Sequence, residues 1–62
     1  MWDIIIYKNR MGLENVINGW NNQKNFPNKD DQVQINGVRY VVTRRVFDYD
    51  KAVVHITVKV LD

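Results

Sequence analysis

The sequence predicts a mainly β domain, built either as a small barrel or as a strongly twisted four-stranded antiparallel sheet with one short helix after the first strand. Apolar and polar residues alternate along the second half of the chain, and an Asn-Gly pair separates two of the alternating runs. With 62 residues, we expect one domain over residues 1–62 that buries about 60% of the surface of the unfolded chain. Because the chain has no cysteine, its core must come from side-chain packing or from self-association.

The first strand is predicted at Trp2–Lys8, where aromatic and β-branched residues dominate. Ile4 and Ile6 share one face with the tryptophan, while Ile5 and Tyr7 make the other face partly apolar as well. We therefore expect this strand to be covered on both sides.

The segment Met11–Trp20 changes period. Its large apolar residues fall at the i, i+3, i+4 and i+7 positions of an amphipathic helix, namely Leu13, Val16, Ile17 and Trp20. Gly12 and Gly19 oppose a helix, since each costs up to about 1 kcal/mol relative to alanine in a helix interior. We predict a short helix that ends near residues 19–21. The alternative is an ordered loop that places Trp20 and Leu13 under the sheet.

A polar segment separates this region from the second half of the chain. Residues 21–31 are rich in Asn, Lys and Asp and contain Pro27, so they are predicted to form a loop. Phe26 is the single large apolar residue of the segment and is expected to anchor it on the core.

The strongest local signal is a β-hairpin centred on Asn36–Gly37. A type I′ turn needs positive φ at both central residues, and Asn-Gly is the pair that best tolerates it. A two-residue loop would pair Ile35 with Val38 and Val33 with Tyr40, which puts all four side chains on one face.

The last strand is predicted within Ala52–Leu61, where apolar residues again alternate. A three-residue loop at 48–50 matches the apolar faces of the two strands that it joins. In this register Val42 faces Ile56, and Asp50 takes the left-handed position of the loop.

Arg44 breaks the alternation, because it falls on the face of apolar neighbours. A buried guanidinium without a partner is too costly, so two structural solutions are open. A β-bulge at Arg44–Arg45 would reverse the phase and turn Phe47 inward in place of Val46. Otherwise Arg44 reaches the rim of the barrel and pairs with an aspartate of the 48–50 loop.

The stretch Asp31–Val42 (DQVQINGVRYVV), followed by Val46–Asp50 and a final alternating strand, resembles the meander of SH3-like barrels. It is similar in style to short barrel proteins of phages of low-GC bacteria, including head–tail connector types. The resemblance covers residues 30–60 and implies a small SH3-like barrel. It carries over no functional residue.

The inventory of reactive side chains argues against an enzyme. The chain has no cysteine and no serine, and His55 is its single histidine, so a nucleophile, a base and an orienting group cannot be assembled. Its three glycines stand too far apart for a nucleotide-binding loop. The paired aspartates at 30–31 and 48–50 are typical of turns. We expect no catalytic residue, no metal and no cofactor.

One face of the predicted meander concentrates positive charge. In the register above, Arg39 lies opposite Lys59 and Thr43 opposite His55, with Arg45 one step along. Like charges opposite each other destabilise a sheet unless solvent or an anionic partner compensates them. The alternative is that basic residues protect an exposed strand face from aggregation. The candidate binding residues are Arg39, Arg44, Arg45, Tyr49, His55 and Lys59.

We therefore expect a small non-enzymatic binding protein, encoded by a phage or mobile element, that docks on a host protein or complex through its edge strands and exposed apolar residues. The alternatives are a nucleic-acid-associated module that uses the basic face, and a structural subunit of an oligomeric, virion-type assembly. The longest apolar run, Ile4–Tyr7, is far shorter than the roughly 18 residues of a membrane span. The acidic start Met1–Asp3 is unlike a signal peptide, so a cytoplasmic location and no membrane partner are expected.

Overall fold

The structure, a computed structural model, describes residues 1–61 and contains one curled, five-stranded sheet. The strands are β1 (Trp2–Lys8), β2 (Val16–Gln23), β3 (Gln32–Ile35), β4 (Val38–Asp48) and β5 (Val53–Val60). Their order across the sheet is β2-β1-β5-β4-β3, with β1 and β5 parallel and every other neighbouring pair antiparallel. The predicted mainly β class is confirmed, whereas the number of strands is five and not four.

The concave side of the sheet, called the inner face below, carries the core. The buried apolar residues of this core are Ile4, Ile6, Ile35, Tyr40, Val42, Val54, Ile56 and Val58. The last four have no exposed surface and lie on β4 and β5. Phe26 of the loop at residues 24–31 packs against this core, as predicted. The opposite side of the sheet is the outer face. Tyr7 is buried there and Ile5 is half-buried, so β1 is partly covered on this side as well.

The predicted helix over Met11–Trp20 is wrong. Leu13–Asn15 form a single 3₁₀ turn, and β2 begins at Val16. A helix this short is marginal in water without tertiary packing, and Val, Ile and Trp favour strands. Pairing with β1 gives the backbone of β2 a long-range set of hydrogen-bond partners, and this pairing overrides the helical spacing.

The two residues that the alternative loop would place under the sheet separate in the fold. Leu13 is 93% exposed on the 3₁₀ turn, whereas Trp20 pairs with Ile4 and remains 38% exposed. Between β1 and β2 the backbones approach closely, because a Cβ at Gly19 would lie 3.1 Å from the carbonyl oxygen of Ile4. The glycine that weakens a helix therefore suits this strand pair.

The hairpin predicted at Asn36–Gly37 is confirmed. Both turn residues have positive φ, 52° at the asparagine and 81° at the glycine. The register pairs Ile35 with Val38 and Val33 with Tyr40. A local turn therefore fixes how β3 and β4 meet, although Val38 lies at the rim and is 40% exposed.

The predicted register between β4 and β5 is wrong by two residues up to Val42 and by three residues from Arg44 onward. Val42 faces Val58 instead of Ile56. The connection spans residues 49–52 and not the three-residue loop at 48–50. The longer connection shifts the pairs next to the turn by three residues, and a one-residue bulge at Thr43 reduces the shift to two for the pairs beyond it. The apolar faces of the two strands therefore still match.

The turn between β4 and β5 is closed by side-chain chemistry. The carboxylate of Asp48 accepts a hydrogen bond from the backbone N–H of Lys51 at 3.2 Å, as aspartate does in many turns. The left-handed residue is Ala52, with φ of 54°, and not Asp50. An L-residue with a Cβ is strained in this conformation.

A β-bulge lies at Thr43, one residue before its predicted position. The ladder shifts between Val42 and Arg44, so two residues of β4 cover the space of one on β5. The bulge reverses the phase of the strand as predicted. Phe47 packs against the core, and Val46 is 39% exposed.

Ile56 offers a test of the inner-face core, because its side chain has no exposed surface. We expect Ile56→Val to lower the free energy of unfolding by about 1 kcal/mol, since one methyl group leaves a closely packed site. Leu13→Ala, at an exposed position, should change it by less than about 0.5 kcal/mol. Urea unfolding of both variants measures the difference, and equal losses would contradict the position of the core.

Ala52 offers a test of the strained turn. We expect Ala52→Gly to raise the free energy of unfolding by up to about 1 kcal/mol, because relief of the left-handed strain exceeds the entropy that glycine adds to the unfolded chain. Ala52→Val should lower it. Thermal unfolding in parallel gives the order of the three proteins, and a glycine variant less stable than the parent chain would show that the turn is not left-handed at this residue.

Candidate functional site

The structure distributes the candidate binding residues over both faces of the sheet. Arg39 pairs with Gln34 on β3, and Lys59 pairs with Val41 on β4. The predicted juxtaposition of Arg39 with Lys59 is therefore wrong, because the register of β4 and β5 differs by two residues from the predicted one. His55 lies opposite Val46 and not Thr43, because the bulge at Thr43 adds one residue to this shift.

The bulge sends the two neighbouring arginines to opposite faces. Arg45 lies opposite Ile56 of the inner face, and its guanidinium carbon is 5.8 Å from the ring centre of Phe26 and 5.3 Å from that of Phe47. A cation over an aromatic ring is attracted to the electron-rich ring face. Arg45 is thus half-buried as a cover of the aromatic end of the core, while Arg44 faces outward.

Tyr49 lies in the turn after β4 and is 80% exposed. Its ring meets the ring of Trp2 edge-on, with centres 5.2 Å apart, and Trp2 in turn meets Phe47 edge-on at 5.5 Å. Tyr49 therefore ends a row of aromatic residues and leaves most of its own ring free. It lies at the end of the sheet opposite to Arg39, because β4 runs from one to the other.

His55 contacts Tyr7 on the outer face. The Tyr7 hydroxyl and Nδ1 of His55 are 2.7 Å apart, and their rings are tilted by 31°. With the proton of a neutral imidazole on Nε2, the hydroxyl donates and Nδ1 accepts. Burial raises the pKa of the Tyr7 hydroxyl above its ordinary value of 10.0. The histidine therefore provides the hydrogen-bond partner of a buried phenol hydroxyl.

A cavity of about 370 Å³ opens on the outer face beside the bulge. We call it the outer pocket, and its lining residues are Asn9, Arg10, Met11, Thr43, Arg44 and Thr57. It joins two guanidinium groups with two hydroxyl groups, and no carboxylate is among its lining residues. Of the predicted binding residues, this pocket retains Arg44.

A second cavity, of about 240 Å³, lies where the sheet fails to close. We call it the open seam, because it is lined from both edge strands and from the inner face of β1, by Ile4, Ile6, Trp20, Gln23, Asn25, Pro27, Val33, Gln34 and Ile35. Most of its surface is apolar, with amides of Gln and Asn around it. The curl of the sheet thus brings β2 and β3, which are its two ends in strand order, to one cleft.

Sequence reasoning missed Asn9 and Arg10 and did not place the seam. The two residues follow β1 directly, and only the parallel pairing of β1 with β5 brings them beside Thr57. Parallel strands that are distant in sequence leave no turn signal between them. A tryptophan within a run of asparagines, at Trp20, is the one local sign that β2 carries a contact surface.

Comparison of the chain with protein-family models, with curated proteins and with solved structures gives no match. Within residues 1–61 there is no helix with the length and apolar character that crossing a membrane requires. The same described residues contain no group of three or more His, Asp or Glu side chains placed to hold a metal ion. The outer pocket and the open seam are therefore the candidate binding sites of this chain.

Tyr7 gives a pH-dependent test of the outer face. A raised pKa in the folded protein means that the unfolded chain loses the phenolic proton first. The contribution of Tyr7 to stability is therefore fully present below its ordinary pKa of 10.0 and is lost as the pH rises further. We expect Tyr7→Phe to remove part of this fall. Urea unfolding at about pH 9 and about pH 11 compares the two proteins. An equal fall in both would show that other groups cause it.

Proposed function

We propose that this protein is a small non-enzymatic binding protein that takes an extended segment of a partner protein as an additional strand at the open seam. The observation that carries the proposal is that both edge strands of the sheet line the same apolar cleft. A strand inserted there would bridge β2 and β3 and complete a small SH3-like barrel. Strand addition of this kind supplies affinity through backbone hydrogen bonds and specificity through alternate side chains.

The sequence of β2 suits such an addition. Its eight residues contain no charged residue and no proline, and most of them are exposed. Natural edge strands are usually blunted by charges, prolines or bulges, because their free backbone groups pair readily with other chains. Register shifts near both ends of β2 leave Asn18–Trp20 as its regularly paired part. β3, Gln32–Ile35, is likewise uncharged.

The residues that line the open seam indicate which kind of partner segment fits it. Trp20 and Val33 border the cleft from the two edge strands, and Ile4 and Ile6 form its floor. A volume of about 240 Å³ is below the roughly 300–1,000 Å³ of small-molecule pockets, so it suits apolar side chains of a strand better than a drug-sized ligand. The surrounding polar groups are neutral amides. The partner segment should therefore alternate apolar residues and should bind with little dependence on salt.

We further propose an origin and a cellular location for this protein. A phage or mobile-element origin, with a host protein or complex of the cytoplasm as the partner, is consistent with the style of the meander and with the small size of the chain. A second copy of this chain is the competing occupant. An uncharged edge also pairs with itself, so the test must separate the two occupants by their dependence on protein concentration.

The test selects eight-residue peptides from a displayed random library on the immobilised 62-residue chain and maps the best binder by hydrogen exchange. We expect selected peptides to alternate apolar residues and to slow amide exchange in Asn18–Trp20 and in β3. Trp20→Ala should weaken peptide binding at least tenfold, because an aromatic anchor contributes strongly to an interface. Tyr49→Ala is the matched control, since it removes an exposed aromatic ring away from the seam, and it should leave the affinity unchanged.

A milder variant covers the case in which Trp20→Ala unfolds the chain. Gln34→Lys adds a charge at an exposed position beside the seam and should weaken the peptide without loss of the fold. Peptides that protect amides elsewhere would overturn the proposal. Protection of Asn18–Trp20 that grows with protein concentration in the absence of peptide would also overturn it, in favour of self-pairing.

A further inference from the structure

We propose that the outer pocket binds the phosphate group of a phosphate ester. The pocket lies on the face of the sheet opposite to the core, whereas the open seam lies on the inner side. Binding at one site can therefore be tested independently of binding at the other. The strongest feature of the pocket is the convergence of Arg10 and Arg44, which come from distant parts of the chain, on one concavity without a carboxylate.

The parallel pairing of β1 with β5 creates this convergence. Lys8 pairs with Val58, and the backbone N–H of Asn9 donates to the carbonyl oxygen of Val58 at 2.7 Å. The chain then turns, with Asn9 in the left-handed region at φ of 70°. This turn delivers Arg10 to the side of β5 where Thr57 lies, while the bulge on β4 delivers Arg44 to the same place.

The two threonines form a fixed hydroxyl pair in the pocket. Their Oγ1 atoms are 3.0 Å apart, and the hydroxyl of Thr43 also lies 3.1 Å from the carbonyl oxygen of Thr57. When Thr43 donates to that carbonyl, Thr57 donates to Thr43. An entering oxyanion can accept a hydrogen bond from the Thr43 hydroxyl in place of that carbonyl, while Thr57 continues to donate to Thr43. Such chained hydrogen bonds strengthen one another. Thr57 is 5% exposed, so the pair is held in place.

The groups present suit a polyvalent oxyanion such as phosphate. Guanidinium forks match the oxygens of phosphate in bidentate fashion, and two forks together with a hydroxyl supply more donors than a lone halide can use. The volume of about 370 Å³ exceeds what one phosphate ion fills, and Met11 adds an apolar wall. The pocket therefore fits a phosphate that carries an organic substituent.

The neighbouring Arg45 has a structural role that Arg44 lacks. Arg45 stacks over Phe26 and Phe47, which accounts for its position. Arg44 is exposed, faces Thr57 and makes neither a ring contact nor a hydrogen bond within the part of the chain that the structure describes. Its guanidinium donors face water and are therefore available to an anionic ligand.

The test follows backbone amide shifts of the isotope-labelled chain by NMR during titration with inorganic phosphate at constant ionic strength. We expect saturable shifts confined to the outer pocket, with the largest at Thr43, Arg44 and Thr57. Arg44→Gln and Arg10→Gln should each weaken phosphate about tenfold or more, because each removes charge-assisted hydrogen bonds. Lys51→Gln removes the same charge from the turn at the far end of β4 and should change the affinity less than about twofold.

A second probe distinguishes the source of the phosphate. If a single-stranded oligothymidylate binds more tightly than inorganic phosphate per phosphate group, with affinity that falls steeply as salt rises, the ligand is a nucleic-acid backbone. If a mononucleotide binds as well as the oligomer, the ligand is a small phosphate ester. In both cases the ligand must bind more weakly to the Arg44→Gln variant than to the parent chain. An equal loss for Arg44→Gln and Lys51→Gln, or shifts spread over the whole surface, would overturn the proposal.

The folded state is checked within the same spectra, because a folded sheet disperses its amide signals. Thr43→Val provides a variant with nearly the same shape and without the hydroxyl, and it should weaken phosphate several-fold. Peptide binding at the open seam should be unchanged by Arg44→Gln. Loss of phosphate binding with retained peptide binding, or the reverse, therefore separates failure of this proposal from failure of the proposed function.

Discussion

The parallel pairing of β1 with β5 is the contact on which the rest of the structure depends. It runs from Asp3 opposite Val53 to Lys8 opposite Val58 and joins the first and last strands at the centre of the sheet. It sets Ile4 and Ile6 beside the fully buried residues of β5, where burial of apolar surface is most complete. β2 pairs only with β1. Without the pairing of β1 with β5, the open seam would therefore lose the edge that β2 forms.

The same pairing positions the outer pocket, because the turn after β1 projects over β5. Thr43 adds the second constraint. The bulge at Thr43 turns Arg44 toward solvent and Arg45 toward the inner face, and this arrangement has the lower free energy. A guanidinium directed into the core without a partner would be costly, whereas Arg45 beyond the bulge finds Phe26 and Phe47 to cover.

The two faces of the sheet therefore offer different chemistry. The open seam is apolar and bordered by neutral amides, so it discriminates by shape and backbone pairing. The outer pocket is cationic and lined by hydroxyl groups, so it discriminates by charge and hydrogen bonding. A chain of 62 residues can present both because a single curled sheet separates them, with the core on one side only.

The sequence by itself determined the β class, the hairpin at Asn36–Gly37 and the break in alternation at Arg44, since turn preference, alternation and the cost of a buried charge are local properties. The structure decided that a bulge resolves this break. Tertiary structure decided the conversion of Val16–Gln23 into a strand, the register of β4 and β5, and the outer pocket. The strand at Val16–Gln23 depends on the free edge of β1, and the outer pocket depends on the pairing of β1 with β5. The register of β4 and β5 depends on the connection at 49–52 and on the bulge. Residues 50 positions apart pair between β1 and β5, and contacts at such separation have no signature in a local pattern.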